Sequence, residues 1–133
     1  MSASITLRPE ELRIIGHSIT WQMYIRHENT PAPRLGAQET GILTSVFNNL
    51  CDLNRSCFSG AEAVSVEIGE PCLCEPGRIR LPQAHFRLMT AAVASFFEEL
   101  RSSPIEIEVL TGSPWSKTAE LLTRLQTTDR EAA

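Results

Sequence analysis

Residues 5–19 read ITLRPEELRIIGHSI, and the apolar period changes inside that stretch. Ile5 and Leu7 flank Thr6 in the alternation of a strand. From Pro9 onward, Leu12, Ile15, Ile19 and Met23 recur at helical spacing, with Ile14, Trp21 and Ile25 widening the apolar face. Pro9 suits a first helical turn, where its missing N–H costs nothing, and Glu10 and Glu11 complement the positive helix end. A strand over 4–7 followed by a helix ending near His27 is expected, because ENTPAPRLG beyond it is rich in breakers.

The same layout returns 74 residues later as IRLPQAHFRLMTAAV, residues 79–93. Ile5 matches Ile79, Leu7 matches Leu81, Leu12 matches Phe86 and Arg13 matches Arg87. Ile14, Ile15 and Ile19 match Leu88, Met89 and Val93. Each copy then reaches a glycine (Gly36, Gly112) and a second amphipathic helix. The first of these runs from about Ala37 to Leu53, with Ile42, Leu43, Val46, Phe47 and Leu50 inward. The second starts at Ser113-Pro114 and turns Leu121, Leu122 and Leu125 inward. Pseudo-repeats 4–53 and 78–127, joined by 54–77, fit either an internal duplication or shared strand-then-helix patterning. The first helix of the second copy starts at Pro82 and turns Phe86, Met89, Val93, Phe96, Phe97 and Leu100 inward, and the polar tail 128–133 is expected to fray.

Two further alternations read as strands. Val64, Val66 and Ile68 alternate with Ser65 and Glu67, and Ile105, Ile107 and Val109 alternate with Glu106 and Glu108. Short strands with polar outer faces suit an antiparallel sheet covered on one side. The expected fold is a single α+β domain over 1–133, two layers, with a small antiparallel sheet packed by about four helices. An all-α bundle with a small hairpin is the alternative.

A chain of 133 residues, 42% apolar and 21% charged, can bury a core without staples. Its net charge of −4 and single lysine, Lys117, leave no basic stripe for a phosphate backbone, so no nucleic-acid partner is expected. No apolar run reaches the ~20 residues needed to span a bilayer. MSASITLRPEEL lacks the pattern of a secretory signal, and a cytoplasmic location is expected.

In a reducing compartment the four cysteines are expected to be thiols, buried or metal-bound, rather than disulfides. Cys51 and Cys57 form C-x5-C, while Cys72 and Cys74 form C-x-C inside EPCLCEPG. A tetrahedral zinc site would need both segments to meet, and neither spacing is that of a standard zinc knuckle. Cys72 and Cys74 have no basic neighbour to lower a thiol pKa; Glu70 and Glu75 would raise it. Pro71 and Pro76 instead mark a short extended connector ending in a turn.

His17, His27 and His85 form no ligand spacing, although His17 or His85 near a thiol would make a nucleophile–base pair. Phosphate loops, nucleophile elbows and metalloprotease or calcium-loop motifs are absent from the sequence. No catalytic residue or cofactor is assigned, and an enzyme is the less expected class. Trp21, Tyr24, Phe96 and Trp115 stand at the margins of the apolar stripes and are the candidates for a protein contact. The expected function is a small interaction or accessory protein that binds a partner protein or itself, of the immunity, chaperone or regulatory type. Its acidic balance suits a basic partner. The alternatives are a zinc protein using Cys51, Cys57, Cys72 and Cys74, and a thiol-dependent or small-ligand enzyme.

Overall fold

The structure, a computed structural model, describes residues 2–25, 36–57 and 77–132. Strand β1 (Ser2–Leu7) leads into α1 (Pro9–Thr20), which continues as one π-helical turn over Trp21–Ile25. Helix α2 (Ala37–Cys57) completes the first half. The second half comprises β2 (Gly77–Pro82), α3 (Gln83–Leu100), α4 (Pro104–Thr111) and α5 (Trp115–Ala132). The chain is therefore an α+β domain, with a two-stranded antiparallel sheet and five helices among the described residues.

Alternation in the strands places Ala3, Ile5 and Leu7 of β1 and Ile79 and Leu81 of β2 inward. The other face carries Ser2, Ser4, Thr6, Arg78 and Arg80, where the Arg78 Nη2 donates to Ser4 Oγ at 3.0 Å and Arg80 Nε to Ser2 Oγ at 2.9 Å. At the start of α1 the Arg8 N–H donates to Glu11 Oε1 at 2.9 Å, closing one half of a capping box. The amphipathic faces of α1, α2, α3 and α5 bury Leu12, Ile15, Ile19, Leu43, Val46, Phe86, Met89, Val93, Leu121 and Leu125 in one core against the sheet.

The strand register bears on the repeat. Ile5 pairs with Ile79, the residue 74 positions later. Ala3 pairs with Leu81 and Leu7 with Gly77, so exchanging the two copies reproduces the same pairing. An antiparallel register centred on matched residues is that of a two-fold axis between Ile5 and Ile79. The helices follow the same symmetry. The matched helices α1 and α3 pack on each other, α2 packs on β2, and α5 packs on β1. Each half thus covers the other's strand with its own second helix. Within the second helices the match runs at 75 positions: Val46, Phe47 and Leu50 of α2 correspond to Leu121, Leu122 and Leu125 of α5.

Two expectations are corrected. The segment read as a strand over 105–109 is helix α4. Pro104 occupies its first turn, where no N–H is needed, and Gly112 ends it at φ 77° with its N–H donated to Glu108 O at 2.8 Å. At 100° per residue, Ile105 and Val109 lie about 200° from Ile107, so a two-residue alternation leaves only one apolar side chain inward. Ile107 is fully buried, whereas Ile105 and Val109 are each 77% exposed. Glu106 and Glu108 accordingly do not share a face. At the C-terminus α5 is helical to Ala132, and Arg87 Nε meets Asp129 Oδ2 at 3.4 Å.

The other correction concerns the aromatic candidates. Trp21 and Phe96 are buried, not marginal, and meet edge-to-face with ring centroids 5.9 Å apart. With Ile107 they form a second core cluster, fringed by Phe97, Leu100 and Leu110. The expected strand at 64–68 lies outside the described residues.

Candidate functional site

Two surface features stand out among the described residues. The first is the outer face of α4. Its one-in, two-out arrangement follows from the helical period and leaves Ile105 and Val109 in water on the same side, four residues apart. Glu106 and Glu108, both exposed, alternate with them. Trp115, 46% exposed, opens α5, and its ring stacks on Phe97 at 6.2 Å. This stacking fixes the indole at the surface. Glu98 and Glu99 line a shallow hollow at the C-terminal end of α3, the helix on which α4 packs. On α4 itself the result is an apolar pair flanked on either side by a carboxylate, Glu106 and Glu108.

The second feature is a groove between α1 and α2. Arg13, His17 and Thr20 fall at i, i+4 and i+7 and form one polar edge along α1. Phe47 and Leu50 of α2 form the opposing apolar wall. Gly16 lies between, and a Cβ added there would sit 3.6 Å from the Phe47 ring. The cleft has a volume of about 180 Å³. A second hollow of about 90 Å³ shares Thr20 and Phe47 and carries the groove on toward Met23 and Thr44. The Thr20 hydroxyl donates to Gly16 O at 3.0 Å, which leaves its oxygen lone pairs facing out of the helix backbone. The His17 imidazole is held below the ordinary histidine range, first by desolvation against the groove and then by the neighbouring Arg13 guanidinium.

Of the contact candidates, Trp115 stands at the surface, Trp21 and Phe96 are inside, and the Tyr24 side chain lies outside the described residues. Cys51 and Cys57 fall in the last two turns of α2, with side chains outside the described set, and Cys72 and Cys74 lie outside it altogether. Among the described residues no three His, Cys, Asp or Glu side chains group as metal ligands. His85 is in the first turn of α3 and does not line the groove that holds His17. Sequence reasoning missed Ile105 and Val109 as surface residues, although Ser103-Pro104 and Gly112 punctuate a helix as clearly as Ser113-Pro114 does. It also missed the groove, whose elements meet only through tertiary packing.

No family model matches the chain, and no curated protein or solved structure matches it either. Among the described residues, no helix is long and apolar enough to cross a membrane.

Proposed function

We propose that this protein is an interaction or accessory protein that binds a partner protein through the outer face of α4. The observation that carries the reading is the pair Ile105 and Val109, each 77% exposed and on one side of a helix whose inward side is already satisfied by Ile107. Exposing two β-branched apolar side chains together gives a folded monomer no benefit, whereas burying them against a partner removes apolar surface from water. Trp115, half exposed and stacked on Phe97, is an aromatic side chain of the kind that dominates interface energies.

The surrounding charge selects the partner. Glu106 and Glu108 flank the pair on the same helix, and a second copy docked on the same face would bring these carboxylates against their equivalents. A partner with apolar residues flanked by lysine or arginine fits, and self-association on this face is disfavoured. The test compares capture from native extract by wild type and by an Ile105→Ser, Val109→Ser double variant of unchanged melting temperature. Loss of a stoichiometric protein from the variant is expected. Identical captured sets would remove α4 as the interface.

A further inference from the structure

The pseudo-two-fold axis makes each half of the chain a reference for the other, and the halves differ where α1 faces α2. In the second half the matched residues are Thr90, buried with its hydroxyl donating to Phe86 O at 2.9 Å, and two small side chains, Ala91 and Ala94. In the first half the matched residues are Gly16, His17 and Thr20. Loss of the side chain at Gly16 leaves the 180 Å³ cleft against Phe47 and Leu50, and its rim has gained an imidazole and a hydroxyl.

The arginine is common to both halves. Arg87 on α3 meets the carboxylate of Asp129 on α5 at 3.4 Å. Arg13 is its match on α1. A guanidinium has five N–H donors, so Arg13 can serve a ligand alongside its contacts within the protein.

We propose that the α1–α2 groove is a binding site for a small organic carboxylate with an aromatic or branched body. The carboxylate lies on Arg13, as Asp129 lies on Arg87 in the other half, and the body lies on Phe47 and Leu50. A cavity of about 150 Å³ is enough to hold benzene, so the cleft accepts a phenyl or branched alkyl group. The groove opens past Thr20 toward Met23, which leaves room for a longer tail. An incoming carboxylate also changes His17: a negative charge beside the ring favours the imidazolium, which then donates a second hydrogen bond. Arg13 is the charged group facing His17 from its own helix, and from α2 the described groove wall supplies Thr44, Phe47 and Leu50 and no titratable group.

The test is a titration of the full-length protein with phenylacetate, followed by amide and imidazole NMR, with neutral phenylacetamide as control. The proposal expects saturable shifts at the amides of Arg13–Thr20 and Thr44–Leu50, at least tenfold weaker binding of the amide, and a rise in the His17 pKa at saturation. Gly16→Thr, which installs the residue of the other half, and Arg13→Gln are each expected to weaken binding at least tenfold. Two independent variants keep the test sound if one fails to fold. Absence of saturable groove shifts up to about 10 mM, a limit weaker than the roughly −4 kcal/mol of a millimolar site, overturns the proposal. Equal binding of phenylacetamide, or unchanged binding by a folded variant, overturns it as well.

Discussion

Truncating the three apolar residues of α4 one at a time separates its helical placement from a strand. Ile107 is fully buried against Trp21 and Phe96. Ile107→Ala deletes three carbons, worth about 0.8 kcal/mol each in transfer alone, or about 2.4 kcal/mol. The hollow left between two aromatic rings adds a cavity cost, which brings the loss to about 3–4 kcal/mol. Ile105→Ala and Val109→Ala remove side chains that already stand in water, and each is expected to stay within about 0.5 kcal/mol of wild type. For a chain of this length roughly 3–5 °C accompanies each kcal/mol, so Ile107→Ala should melt about 10–20 °C lower. The assay is urea and thermal unfolding followed by far-UV circular dichroism. In a strand with all three residues inward, the three losses would be comparable. Comparable losses, or a cost below about 1 kcal/mol for Ile107→Ala, would refute the helical placement.

Other consequences are read with the same unfolding assay. Gly16→Ala and Gly41→Ala lie inside helices, where the added methyl meets Phe47 at an ordinary 3.6 Å or nothing within 4 Å. Each should gain roughly 0.5–1 kcal/mol, whereas Gly112→Ala, at φ 77°, should lose about 1 kcal/mol. Thr118 is fully buried and its hydroxyl has no hydrogen-bond partner among the described residues; Thr118→Val removes that polar group at constant shape and should stabilise by about 1 kcal/mol. The folded-state pKa of His17 is depressed below 6.5, so the unfolded chain binds more protons between that folded value and 6.5. Stability should therefore rise with pH through this window and fall as pH drops through it. His17→Gln should flatten the slope there; an unchanged slope would show that His17 is not the group responsible.

Much of the architecture was legible because period and punctuation agreed. Ile5 and Leu7 alternate, Leu12 to Ile19 recur at helical spacing, and Pro9 and Pro82 mark where one becomes the other. That the matched residues Ile5 and Ile79 face each other across the sheet was not legible, because strand pairing is a tertiary arrangement that the alignment of the two stretches does not specify. Alternation failed in α4, where five residues are too few to distinguish a strand from one helical turn with a single inward side chain. There the helix-start signal at Ser103-Pro104 outweighed the pattern. Trp21 was misplaced for a different reason. Its position at the edge of the α1 stripe becomes interior only because α3 and α4 arrive to cover it, and a single helix's pattern does not encode that arrival. The groove was invisible on the same grounds. Arg13, Gly16 and His17 are ordinary helix residues until Phe47, some thirty positions later, packs opposite them.

The central functional claim is that the face bearing Ile105 and Val109 contacts a partner protein. It is met most directly by placing a photo-crosslinking residue at position 105 in the protein's native cells, with Thr6 on the outer sheet face as control. A single discrete heterologous adduct is expected from position 105, absent from position 6 and abolished by Val109→Lys. No adduct at 105, or equal adducts from both positions, would contradict it.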